Sequence, residues 1–349
     1  MTNELKLIFD DSELEKIQQS DLKDRQHPLK RLLFSDYNYE RNHQVLTNTD
    51  RALRHLSEKN EKWISSLKKR LLDFDDYSTS SSALGEIRAF GYLLEAGISV
   101  KPLSSGSDFL LRQKEDEEED EVLLEVHSKQ MNHNETQALE EFHQGKRGRS
   151  VASPTSPKII VREHVTTPCG KPKKGESTTE NVISKLAYIK GKEHQLSKDK
   201  TSILWLDFQD ESWNLFDDVG RILPIRTWNS AFYSGEFWYA FYGWKSAIIF
   251  EMSELDHPFY GKQVKMRHDG RFLQSNKLDA VIISFSRNTI VMENPYSTKA
   301  IKPWLWKKLI YLPWFNFEYS YTNWLVSDLE QKIDLDKKKI IALSKYISL

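Results

Sequence analysis

Apolar residues recur at helical spacing through the first eighty residues. Leu53, Leu56, Trp63, Ile64, Leu67, Leu71 and Leu72 stand on a strongly basic background and predict a mainly helical region. The polar run Ser78 to Ser82 predicts a break. From Ala83 the pattern is cleaner: Leu84, Ile87, Phe90, Gly91 and Leu94 make one helical stripe, and Gly97 offers a C-cap. Ile98 to Leu103 then reads as a strand, Ser104 to Ser107 as a turn, and Asp108-Phe109-Leu110-Leu111 as the opening of the next strand. The stretch Glu121 to Lys129 alternates with period two. Val122, Leu124 and Val126 share one face, while Leu123, Glu125, His127 and Lys129 share the other.

Asn132 to Gln144 can be read as a helix, and Gly145 to Gly175 as an irregular stretch rich in Pro, Gly and Lys. Ser177-Thr178-Thr179-Glu180 matches a capping box, which predicts a helix through Ile183, Leu186 and Ile189 to about Leu196. Ser202 to Phe208 is the next strand. Further strands are predicted at Ala247 to Met252, Ala280 to Phe285 and Thr289 to Glu293, with a closing helix over Ser327 to Ile347. Helix, three strands, helix, strand is an α/β order. The division expected is a helical region over 1–80, a core over 81–210, and an aromatic-rich extension over 211–349 that completes the core or forms an interface.

Composition narrows the class. The chain has 349 residues, 39% hydrophobic and 29% charged, as expected of a globular protein. Its one cysteine, Cys169, excludes an internal disulfide and makes a zinc site improbable, which fits a reducing compartment. No apolar leader follows Met1, and no run approaches a membrane span. The expected location is therefore cytoplasmic, away from membranes.

Charge is segregated along the chain. The net charge is −1, but seven consecutive acids, Glu115 to Glu121, account for the negative balance; the remainder carries +6. That run reads as a solvated loop between two strands. Gly145 to Gly175 is biased the other way, and segregated charge suggests a partner of one sign. Lys146, Arg147, Arg149, Lys171, Lys173 and Lys174 are candidate phosphate contacts, together with Gln130 at the end of the strand. The competing reading is that this stretch is only solvated. The aromatic segment Trp228 to Trp244 could stack bases, but core or interface is the stronger expectation.

The chemistry concentrates in Glu86, Asp108 and the run Glu125-Val126-His127-Ser128-Lys129-Gln130. Magnesium takes oxygen ligands and keeps several waters, so two carboxylates plus substrate oxygens suffice for a site. Asp108 and Glu125 are the candidate ligands, with the Val126 carbonyl as a third. Glu86 would bind a second metal or a metal-bound water. His127 or Lys129 would supply the basic group that orients the water or neutralises developing charge. The bland alternative makes Asp108 a turn acid, Glu125 a solvated strand end and Glu86 a surface charge. Against it, Glu86 flanks the apolar stripe and Glu125 interrupts an apolar run, where an uncompensated carboxylate is costly.

This arrangement resembles the PD-(D/E)xK nuclease superfamily, whose restriction-endonuclease-like core runs helix, three strands, helix, strand. The resemblance covers roughly Ala83 to Phe208. The helical acid of that pattern matches Glu86, the first strand acid Asp108 and the second Glu125. The family's Lys lies two residues after the second acid, where this chain has His127; Lys129 is one strand step further on the same face. The helix with Lys185, Lys190 and Gln195, followed by a strand, is similar to the segment after the family's site. The resemblance implies a Mg2+- or Mn2+-dependent endonuclease acting on nucleic acid, DNA in preference to RNA, in restriction, repair or defence against foreign DNA. A homodimer or a partner protein is compatible with it. The alternative is a catalytically inactive protein of the same fold that binds nucleic acid or a partner.

Overall fold

In the computed structural model the chain forms two compact units. The first comprises Met1–Gln130, Lys190–Asp217 and Ser275–Lys332; the second comprises Met131–Ile189, Asp218–Gln274 and Ile333–Leu349. The structure describes residues 3–22, 25–34, 40–56, 60–113, 120–129, 149–153, 156–163, 177–189, 195–209, 219–228, 231–233, 235–250, 263–275 and 277–347. Among them no helix is long and apolar enough to cross a membrane.

The first unit begins with helices α1 (Glu4–Leu7), α2 (Asp11–Gln19), α3 (Pro28–Phe34), α4 (Glu40–His55), α5 (Glu61–Leu71) and α6 (Tyr77–Glu95). A mixed six-stranded sheet follows, built from β1 (Ser99–Pro102), β2 (Phe109–Arg112), β3 (Val122–Ser128), β4 (Thr201–Asp207), β5 (Ala280–Ser284) and β6 (Thr289–Glu293). Its spatial order is β6-β5-β4-β3-β2-β1. β1, β2 and β3 form an antiparallel meander, β3, β4 and β5 run parallel, and β6 returns antiparallel to β5. The fold is therefore α/β, a mixed sheet flanked by helices.

Alternation decides which residues meet the helices. Phe109, Leu124, Val126, Ile203, Trp205, Ala280 and Ile282 belong to one core cluster with Ala83, Leu84, Ile87 and Phe90 of α6. These strand residues are in mutual register, so they share a sheet face. Trp63 of α5 packs edge-on against Phe90 and tilted against Phe109, which brings α5 beside α6 over β2. Glu125 and His127 alternate with the core residues and point to the other face.

α6 is longer than the sequence pattern predicts. The Ser78–Ser82 run is helical, because the Asp76 side chain accepts a hydrogen bond from the Ser78 amide and starts the helix there. Ser80 and Ser81 are then buried, so packing overrides the polar break.

The second unit contains the helices Thr178–Ala187 and Glu236–Tyr242. Ser177 accepts from the Glu180 amide, which is half of the anticipated capping box. The helix ends at Ala187, with Tyr188 as its C-cap, short of the anticipated Leu196. The stretch 145–175, expected to be irregular, contains an antiparallel hairpin of Arg149–Ser153 with Ser156–Glu163. The β-branched run Ile159-Ile160-Val161 favours the extended backbone there. Phe237, Trp238, Tyr239, Phe241 and Tyr242 are fully buried, so the helical part of the aromatic segment is core rather than a stacking surface.

Candidate active site

The β2–β3 ladder ends where Phe109 pairs with Leu124, and Asp108 and Glu125 are the next residues outward on the two segments. Asp108 also bends to the neighbouring strand, where its Oδ2 accepts from the Val126 amide at 2.7 Å. The carboxylate thus substitutes for a ladder carbonyl just past the end of β2. A residue's N–H and C=O leave a strand on the same side, so the Val126 carbonyl also faces Asp108. Glu125 is 1% exposed. A carboxylate so deep in an apolar strand is costly without compensating charge.

Glu86 lies on α6, where Arg70 of α5 grips it with both nitrogens. Arg70 Nη1 donates to Oε2 at 2.8 Å and Nη2 to Oε1 at 2.7 Å. The Glu86 hydrogen bonds raise the Arg70 pKa above its ordinary value, partly opposed by desolvation; the fields of Glu86 and Asp108 add to the rise. Arg70 therefore sits within electrostatic reach of two of the three candidate acids. Nothing in the sequence pattern singles it out, because it is one of three consecutive bases, Lys68-Lys69-Arg70, in the last turn of α5.

His127 and Lys129 are both half-buried. His127 lies two residues beyond Glu125 on the same strand face. Lys129 is just beyond β3, and its amide donates to the Asp207 carbonyl at 2.9 Å, so its backbone remains fixed to β4. Gln130, Lys146, Arg147, Lys171, Lys173 and Lys174 lie outside the described residues. Arg149 opens the hairpin in the second unit.

A second polar group beside the site escapes sequence reading. Arg88 of α6 forms a bidentate pair with Asp207 at the end of β4. Ser128, Arg88, Asp207, Gln209, Arg31 and Ser81 line a small pocket there, with room for little more than a water molecule. Gly85 allows this approach: a Cβ on it would lie 1.8 Å from Ser128 Oγ. One signal was available. Arg88 and Asp207 are opposite charges embedded in apolar segments, and buried charges need partners.

Among the described residues no three His, Cys, Asp or Glu side chains form a metal cluster. The candidate donors, the Asp108 and Glu125 carboxylates and the Val126 carbonyl, are hard oxygens of the kind that magnesium or manganese takes together with water and substrate. No family model, no curated protein and no solved structure matches the chain.

Proposed function

We propose that this protein is a magnesium- or manganese-dependent phosphodiester hydrolase with a restriction-endonuclease-like core, acting on DNA. One observation carries the reading: Asp108 Oδ2 accepts from the Val126 amide at 2.7 Å, which fixes this carboxylate against β3 beside the residue that follows Glu125. Asp108, Glu125 and the Val126 carbonyl would hold the ion. When bound, the ion supplies an activated water and offsets charge on the phosphate. Asp108 keeps one oxygen fixed by Val126, so the other is pre-aimed. His127 follows Glu125 on its strand and Lys129 lies just past the strand's end. They supply a base that orients water and a cation that meets developing negative charge. The basic residues of 145–175 would contact the phosphate backbone.

The reading is tested with supercoiled plasmid, single-stranded DNA and RNA, each with magnesium, manganese or EDTA. Metal-dependent cleavage that disappears in Asp108→Ala and Glu125→Ala supports it. A well-folded protein that binds DNA but cleaves none of these substrates supports the second reading, an inactive nuclease fold. His127 in the family's Lys position and the double hold of Arg70 on Glu86 favour that second reading.

A further inference from the structure

We propose that Arg70 is a substrate-phosphate ligand of the site, held on Glu86 until substrate arrives and competing with the divalent cation for the acidic cluster. The inference rests on the hydrolase reading and adds a residue which that reading does not contain. Two carboxylates, Glu86 and Asp108, act on one guanidinium, that of Arg70. Without a cation this cluster repels both itself and an incoming phosphate. Arg70 is the guanidinium hydrogen-bonded within it, at 2.7 and 2.8 Å.

The exposures of the two partners differ. The Arg70 side chain is 38% exposed and that of Glu86 12%. The acid is seated, whereas the arginine reaches it from the solvent side on a long, flexible stem. The planar fork that grips a carboxylate matches two phosphate oxygens equally well. A divalent ion at Asp108 and Glu125 would weaken Arg70's hold, because like charges would then share one set of acids. Arg70 would exchange Glu86 for the phosphate, and Glu86 would be released toward the ion or its waters. A simple tie between α5 and α6 would have neither consequence.

The experiment measures binding without turnover. Mn2+ affinity is determined by calorimetry on the full chain for wild type, Arg70→Ala, Arg70→Lys and Asp108→Asn. Duplex DNA affinity is determined by anisotropy in Ca2+. Removing one nearby positive charge should tighten Mn2+ binding in Arg70→Ala by about 3- to 10-fold. The same variant should weaken DNA binding by about tenfold, the expected range for a charge-assisted contact. Arg70→Lys should leave Mn2+ binding near wild type and recover only part of the DNA affinity, since it keeps the charge and loses the fork. Arg70→Gln replaces Arg70→Ala should the latter not fold. Unchanged or weaker Mn2+ binding together with unchanged DNA affinity in the folded variant would reduce Arg70 to a helix tie and overturn the inference. Equal Mn2+ binding by wild type and Asp108→Asn, or none by wild type, would refute the metal site itself. That failure is read from a different variant.

Discussion

Arg88 and Asp207, 119 residues apart in sequence, form a bidentate ion pair sealed from solvent. Nε donates to Oδ2 at 2.9 Å and Nη2 to Oδ1 at 2.8 Å, with side-chain exposures of 4% and 1%. The pair is embedded in a network. Arg88 Nη1 donates to Thr49 Oγ1 at 3.2 Å, and the Gln209 amide donates to Asp207 Oδ1 at 3.2 Å. Asn48 connects Gln209 to the Ser286 carbonyl. The pair thereby ties α6 and α4 to the carboxyl end of β4.

Removing one partner leaves an uncompensated buried charge. Arg88→Ala or Asp207→Ala should each lower the unfolding free energy by about 3–5 kcal/mol. Replacing both with apolar residues of similar volume, Arg88→Met with Asp207→Leu, should recover most of that loss. Urea unfolding of the three variants measures it. A loss below about 1 kcal/mol in either single variant would mean the pair is solvated in solution.

Two glycines of α6 set how closely its neighbours approach. At Gly85 an added Cβ meets Ser128 Oγ at 1.8 Å and Ser128 Cβ at 3.2 Å. At Gly91 it meets the backbone of Ala52, with the carbonyl oxygen at 2.3 Å. The first clash is mainly with one hydroxyl, which has no hydrogen-bond partner among the described residues. Gly85→Ala should therefore cost about 1–3 kcal/mol and be largely rescued by Ser128→Ala. Gly91→Ala should cost at least as much and gain nothing from Ala52→Gly, because its obstacle is main chain. Thermal melts of these four variants check the contrast.

The helix–strand–strand–strand order was legible because each segment carries one clear period. The 3.6-residue stripe from Leu84 to Leu94 and the two-residue alternation from Val122 to Val126 lead directly to α6 and β3. The start of α6 was not legible, since Ser78 to Ser82 is helical only through the Asp76 cap and burial against other elements. The hairpin within 149–163 was hidden by its prolines, although Ile159-Ile160-Val161 carried the strand signal. Within the site, Glu86, Asp108 and Glu125 stood out as acids in or beside apolar runs. Arg70 did not, because what distinguishes it is a long-range partner, and local periodicity carries no information about that.

His27 is buried, with its ring against Phe74 and Tyr77. Its Nδ1 accepts from the Leu29 amide at 3.2 Å, so Nε2 carries the proton and donates to the Asp73 carbonyl at 3.3 Å. Burial pushes its pKa down to about 4, against partial opposition from Asp73. The unfolded chain, with an ordinary value near ~6.5, takes up a proton first as pH falls. The stability contribution of neutral His27 is thus complete above pH ~6.5 and is lost progressively down to about pH 4, by about 3 kcal/mol in all. His27→Gln should flatten this limb. Urea midpoints at pH 7 and pH 4.5 test it, and an identical pH dependence in the variant would sink the assignment.

Asp108 holds the Val126 amide, and on the proposed reading it would also bind the ion; substitution can separate the two tasks. Asparagine keeps an oxygen to accept from the Val126 amide but loses the charge, whereas alanine loses both. Asp108→Asn should stay within about 0.5–1 kcal/mol of wild-type stability, while Asp108→Ala should lose about 1.5–3 kcal/mol. Both should abolish metal-dependent cleavage. Retained cleavage in Asp108→Asn would remove Asp108 from the proposed ligand set.

On the proposed hydrolase reading, His127 and Lys129 would divide the remaining work unequally. Lys129's main chain is pinned to the Asp207 carbonyl at 2.9 Å, so its stem starts from a fixed point beyond the strand end. It lies one strand step, roughly 6.6 Å, past His127, and its long side chain recovers part of that distance. A lysine offers a compact charge on a long stem, whereas an imidazole can both accept and donate a hydrogen bond. On that reading Lys129 would stabilise developing charge and His127 would orient water. Lys129→Ala should remove most activity at every pH. His127→Ala should chiefly change the acidic limb of the pH–rate profile. Full activity in Lys129→Ala with none in His127→Ala would reverse the roles. His127→Lys restores the residue type that the nuclease resemblance calls for at that position. Its activity should match or exceed wild type above pH ~7, and an inactive His127→Lys beside an active wild type would show that this site uses imidazole chemistry of its own.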